Sequence, residues 1–137
     1  MKHIFCIFFG VLGGILSAIF GGVDNALITL LVFMAIDYIT GVALSLVFKK
    51  SPKTLTGGYS SGMFVRGAVK KGLSLLIVIV AVRLDTTVGV NYFRDCTVFA
   101  ICANELLSII ENLGLCGVPI PDIIKKGIDV LNKKIEP

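Results

Sequence analysis

Residues 26–48 read A-L-I-T-L-L-V-F-M-A-I-D-Y-I-T-G-V-A-L-S-L-V-F, and this stretch decides the fold. A helix crossing a bilayer needs about 20 apolar residues, and this run exceeds that with a single charge, Asp37, near its middle. It stops at Lys49-Lys50-Ser51-Pro52-Lys53, where the proline cannot continue a helix and the lysines suit a membrane–water interface.

On the N-terminal side, Ile4 to Gly22 is a second uncharged block, separated from the first by Asp24 and Asn25. It is rich in small residues. Gly10, Gly14, Ala18 and Gly22 lie four apart, with Gly13, Ser17 and Gly21 as a neighbouring row. Residues four apart share a helix face, and small residues there let two backbones approach closely in lipid. The row serves either contact between subunits or packing within one. Lys2, the apolar run and Ser17-Ala18 also have the outline of a signal peptide. The positive start is thin and no cleavage site stands out, so a packed span is the expectation.

Toward the C-terminus, Thr54 to Gly62 is a small, polar loop. Leu73 to Val82 is apolar but short, bounded by Lys70-Lys71 and by Arg83-Leu84-Asp85. It spans if the lysines snorkel and the helix runs past Asp85. A fourth block covers Asp95 to Cys116 and ends at Gly117-Val118-Pro119-Ile120-Pro121. The last segment sets Ile123, Ile124, Ile128, Val130, Leu131 and Ile135 among Lys125, Lys126, Lys133 and Lys134, the pattern of an amphipathic helix on a membrane surface.

The expected fold is therefore an all-α membrane protein, a single small multi-span helical bundle occupying residues 1–137. Four transmembrane helices are expected at about 4–22, 26–48, 67–87 and 95–116, with three as the alternative. A basic loop at 49–66 and an amphipathic surface helix at 121–137 complete it. Composition agrees: 55% of the 137 residues are hydrophobic and 16% charged, against about 45–50% and 25% in soluble domains. The net charge of +4 gathers between and after the apolar blocks, so it reads as topology and lipid contact, not nucleic-acid binding. Lys49, Lys50, Lys53, Lys70 and Lys71 are the expected interface cations. The first turn between spans has no Lys or Arg, whereas segment 49–71 and the tail are basic, so both termini are expected in the cytoplasm.

Cys6, Cys96, Cys102 and Cys116 form no C-x-x-C, His3 is the lone histidine, and no disulfide framework, metal site or cofactor is expected. No G-x-S-x-G, H-E-x-x-H or phosphate loop occurs. Glu105 and Glu111 do not converge as an acid–base pair, so no enzyme is expected.

Two polar features remain. An acid at the centre of a bilayer costs about 2.5–3.5 kcal/mol on insertion scales, so Asp37 should face protein or water. It lines a pore, contacts another subunit, or pairs with Arg66 or Arg83. Thr40, Gly41 and Ser45 follow on a similar face, and Gly41 is a candidate for close helix packing. In the fourth block Asn104, Ser108, Glu111 and Asn112 form a polar stripe bordered by Glu105, opposite Ile101, Leu106, Ile109, Ile110 and Leu113. These five polar residues and Asp37 are the candidate pore or trigger residues. A helix lying on the surface, with no pore role, fits the stripe as well.

Asp37-Tyr38-Ile39-Thr40-Gly41 resembles the D-Y-x-T-G signature of the toxin-secretion/phage-lysis holins, the TcdE-like phage holins. Gly67 through Lys70-Lys71 and Leu84-Asp85 follow in order. Asn104-Glu105-Leu106-Leu107-Ser108-Ile109-Ile110-Glu111-Asn112 with Gly117-Val118-Pro119-Ile120-Pro121 resembles that family's N-E-x-x-S-I-x-E-N…G-x-P-x-P run. The similarity covers residue 24 to the end. It implies a phage- or prophage-encoded protein of the host cytoplasmic membrane. Such a protein forms homo-oligomers and opens timed holes that release an endolysin, or in some members a toxin. A small ion channel or transporter subunit, and a non-conducting antiholin or membrane scaffold, are the rival readings.

Overall fold

A computed structural model describes residues 1–135; Glu136, Pro137 and the side chains of Leu131, Asn132 and Ile135 lie outside the described part, and so does that end of the expected apolar face. The described residues form helices, with no strand among them. They are α1 (Lys2–Ile19), α2 (Asn25–Ala43, prolonged by a π-helical stretch Leu44–Phe48), α3 (Ser61–Val88), α4 (Phe93–Leu115) and α5 (Asp122–Ile135).

Each boundary has a local cause. The Asp24 side chain accepts a hydrogen bond from the Leu27 amide at 3.0 Å and caps α2. The π-helical end of α2 closes on Lys49, which takes a left-handed φ of 53°. Gly89, at φ 80°, terminates α3. Asp85, near the end of α3, caps the next helix. Its carboxylate accepts from the amides of Phe93 at 2.9 Å and Arg94 at 3.0 Å, satisfying orphan donors of α4. Pro119 and Pro121 separate α4 from α5.

The basic loop expected at 49–66 is shorter, because α3 already starts at Ser61. Phe64, buried on the first turn of α3, stacks on Tyr59 and meets Tyr38 edge-on, which draws residues 61–66 into the helix. Arg66 thus belongs to α3.

The core joins three helices. Leu27, Leu30 and Met34 of α2 pack with Val78 of α3 and Val98 and Cys102 of α4. Leu30, Val78 and Val98 are fully buried. In lipid such packing stabilises through van der Waals contact, since the surrounding tails are as apolar as the side chains. Helix α4 lies at the centre, against both α2 and α3, while α2 and α3 meet less closely. No residue of α1 is buried. The small row has open space around it: a Cβ added at Gly10, Gly13 or Gly14 meets nothing within 4 Å, and Ala18 is exposed.

Three of the described helices are long and apolar enough to cross a membrane: Lys2–Ile19, Asn25–Phe48 and Phe93–Leu115. With 28 residues, α3 is about 42 Å long, more than the hydrocarbon thickness, but it carries Arg66, Lys70, Lys71, Arg83 and Asp85. The C-terminal helix α5 was expected flat on the surface. Here it folds back along α4, burying Ile128 and bringing the Lys134 ammonium 4.8 Å above the Phe99 ring.

Candidate functional site

The mid-length polar residues of α2, α3 and α4 meet inside the bundle. Asp37 and Asn112 are buried, 6% and 5% exposed. The Asn112 side-chain amide donates to the Asp37 carboxylate at 3.1 Å, to the Asp37 carbonyl at 3.3 Å and to the Thr40 hydroxyl at 3.1 Å. The Thr40 hydroxyl in turn donates to the Asp37 carbonyl at 3.1 Å. From α3, the Lys71 ammonium donates to the other Asp37 oxygen at 2.7 Å and to the Glu105 carboxylate of α4. Ser108 faces the same Asp37 carboxylate. Gly41 lies beside this network: a Cβ there would stand 3.7 Å from both the Asn112 amide nitrogen and the Phe64 ring, an ordinary van der Waals contact, so the approach does not depend on glycine.

Each of the three helices supplies one or more corners of this network, and no described buried side-chain polar atom lacks a partner. Charged groups are tolerated at such depth only when paired and hydrogen-bonded. One ammonium faces two carboxylates, so the cluster is held together by charge yet is not balanced when both acids are ionised. Removing the Lys71 ammonium leaves two uncompensated acids inside the bundle, whereas neutralising one acid leaves a balanced pair.

Asp37 pairs neither with Arg66 nor with Arg83; its cation is Lys71. Lys49, Lys50, Lys53 and Lys70 are exposed, whereas Lys71, expected with them as an interface cation, turns inward. The expected single polar stripe on α4 is split. Glu105, Ser108 and Asn112, at i, i+3 and i+7, face α2 and α3, while Asn104 and Glu111, seven apart, are exposed with Leu107 and Gly114 between and beyond them. The cause is which edge of α4 is covered: successive residues turn by about 100°, and α2 and α3 cover the edge with Glu105, Ser108 and Asn112, while none of the packed helices covers Asn104 and Glu111.

A second network ties one end of the molecule. Arg94, buried at the start of α4, grips Asp24 with two nitrogens at 2.9 and 3.0 Å and Asp95 at 3.2 Å. It also donates to the carbonyls of Phe20 at 2.6 Å and Gly22 at 3.0 Å. The guanidinium thereby holds the turn between α1 and α2, and its hydrogen bonds keep the Asp24 carboxyl below the usual carboxylate range. Gly21 needs to be glycine twice over. Its φ is +73°, and a Cβ would press to 3.2 Å on Arg94.

Sequence reasoning placed Lys71 among the interface cations and not in the buried cluster, and it missed Arg94 as a staple. A lysine well inside a long helix, with an acid at mid-length of another, was the available signal for the first. Nothing local signalled the second.

The model of the Bacteriophage holin family matches residues 14–133. A probable holin of Bacillus phage phi105 is 41% identical over 103 residues, covering 74% of this chain and 70% of that protein. An uncharacterised protein of Clostridium perfringens (strain 13 / Type A) is 38% identical over 135 residues, covering 96% and 94%. An uncharacterised 14.9 kDa protein in the nagH 3′ region of Clostridium perfringens is 40% identical over 125 residues, covering 90% and 89%. No solved structure matches.

Proposed function

This chain belongs to the bacteriophage holin family, a family of membrane pore-formers and not of enzymes, and from that premise we propose that it opens timed holes in the cytoplasmic membrane of a bacterial host. The holes release an endolysin to the cell wall; a secreted toxin is the alternative cargo. The observation that carries the reading is the paired but unbalanced cluster of Asp37, Lys71, Glu105 and Asn112 inside a bundle of apolar helices. Such a cluster stabilises a closed subunit and responds to a change of field or of neighbours.

Four crossings with both termini in the cytoplasm fit this function. The fourth crossing is α3. Its length suffices, Lys71 is paired, and Arg83 and Asp85 stand near its C-terminal end, where Asp85 is engaged at the start of α4. The lysines of residues 49–53 and of α5 then share one side of the membrane, in keeping with the positive-inside rule. In this arrangement α5 exchanges its place along α4 for the membrane surface.

While subunits are closed, Asp37, Glu105, Ser108 and Asn112 satisfy one another. Asn104 and Glu111 stay exposed on α4, an unfavourable position against lipid that contact between subunits relieves. At a critical density, or on loss of membrane potential, the inner network opens and the whole polar sector of α4 faces water. A charge moved across the potential contributes about 2.3 kcal/mol per 100 mV, enough to shift such an equilibrium.

The test is inducible expression in a bacterial host, with and without a co-expressed cytoplasmic endolysin, following optical density and membrane potential. Abrupt loss of potential after a delay, with lysis only when endolysin is present, is the expected result. Steady growth with intact potential would overturn the pore and favour an antiholin or scaffold; graded, ion-selective currents would favour a channel.

A further inference from the structure

Helix α1 and the seam between α2 and α3 both present apolar side chains on exposed surfaces. Two apolar hollows, of about 190 and 460 Å³, lie end to end along this seam and share Leu31 and Leu75. The smaller is capped by Leu16 and Phe20 at the end of α1; the larger continues to Tyr38 and Ile39 on α2 and to Ala68 and Gly72 on α3. Away from this cap α1 touches nothing, as the open space around Gly10 and Gly14 records.

We infer that the seam receives α1 of a second copy of this chain, exchanged reciprocally about an axis along the membrane normal. This rests on the reading of the chain as an oligomerising membrane protein and supplies its contact. Four observations favour a second copy. First, length: α1 has 18 residues, about 27 Å, and the seam from Val23 to Ile39 is about 24 Å. Second, charge: α1 has none from Ile4 onward, and the only charge at the seam, Lys71, is already engaged by Asp37 and Glu105. Third, surface: Ala68 and Gly72 present two small residues four apart to the hollow, the spacing of Gly10 and Gly14, and α1 and α3 both lead away from the same side of the membrane when four spans are formed.

The fourth is the tether. Arg94 holds the carbonyls of Phe20 and Gly22, and Gly21 and Gly22 are fixed at positive φ, so the end of a chain's own α1 is held at the smaller hollow while its remainder lies unburied off the larger one. The α1 of a neighbour meets no such restraint. Area supports reciprocity as well. One helix face of about 27 by 10 Å buries roughly 550 Å² over both partners, and two reciprocal contacts approach the 1,200 Å² or so of a stable interface. A two-fold exchange leaves every subunit in the same orientation in the membrane.

The test is disulfide formation between two different copies in isolated membranes, taken before lysis. Cys6 is native to α1 and exposed, and Ile39 lines the seam at a comparable depth. One copy keeps Cys6 alone, with Cys96, Cys102 and Cys116 replaced by alanine. The other, of different mass, carries Ile39→Cys as its sole thiol. A bridge requires Cα atoms within about 7 Å. The expected result is a mixed dimer at least about fivefold more abundant than with Leu107→Cys, a control at similar depth on the exposed face of α4, and suppressed when Gly10 and Gly14 are both replaced by leucine. A mixed dimer no stronger than the control overturns the proposal. In that case, an internal bridge in a chain carrying both thiols assigns the seam to its own α1, and no bridge in either form assigns it to lipid. Lysis without the bridge removes this interface and leaves the holin reading; the bridge without lysis does the reverse.

Discussion

Replacing Lys71 with methionine removes one charge and keeps an unbranched side chain of similar length. Its ammonium stands 2.7 Å from Asp37 and is also bonded to Glu105, with the lysine side chain only 18% exposed. Breaking a buried ion pair by removing one partner costs about 3–5 kcal/mol, because the remaining charge stays desolvated. Two carboxylates are stranded here, and uptake of a proton by one of them offsets part of that cost. A net loss of about 3 kcal/mol corresponds to an equilibrium shift of roughly a hundredfold. Reversible denaturation of the purified protein in detergent measures it. Lys70→Met is the internal control: the neighbouring lysine is exposed, and surface changes usually stay within about 0.5 kcal/mol. The double variant Asp37→Asn/Lys71→Met should recover part of the loss, since it removes one stranded acid. Equal stability of Lys71→Met and Lys70→Met would refute the account of the network.

Glu105→Gln leaves Lys71 and Asp37 as a balanced pair and should delay lysis, whereas Asp37→Asn weakens the hold of both Lys71 and Asn112 and should advance it. Onset times should move by up to about tenfold, the factor that 1.4 kcal/mol produces, with membrane accumulation unchanged on immunoblots; unaltered onset in both variants would remove these residues from the trigger. Gly21→Ala should destabilise by about 1–2 kcal/mol in the same denaturation assay, from its left-handed backbone alone, with the crowding against Arg94 added to that. The Asp24–Arg94 pair should respond to acid in one direction only. Because the folded carboxyl lies below its ordinary value of 3.8, the pair's contribution is complete above that value and is lost as pH falls through the lowered one. The stability difference between the native chain and Asp24→Asn should therefore stay constant from pH 7 to about pH 5 and shrink only under stronger acid.

The helical membrane class was legible because it depends on the length and apolarity of contiguous blocks, which the order of residues states directly. The helix stops at Pro52, Pro119 and Pro121 and the acid at the middle of α2 were legible for the same reason: each is a local property of one segment. The family signature around Asp37 and across Asn104–Asn112 also lies in contiguous residues. What only the tertiary structure decided concerns pairs far apart in the chain. Lys70 and Lys71 are equivalent as neighbours in a sequence, and only the packing of α3 against α2 and α4 turns one outward and the other onto Asp37 and Glu105. Packing of α2 and α3 against one edge of the α4 polar sector likewise divided what periodicity presents as a single face. Arg94 holds a turn some seventy residues earlier, a partnership that no spacing rule contains. Side-chain type and helical period act within a turn or two of the chain, whereas the partner of a buried charge is set by which helices come together.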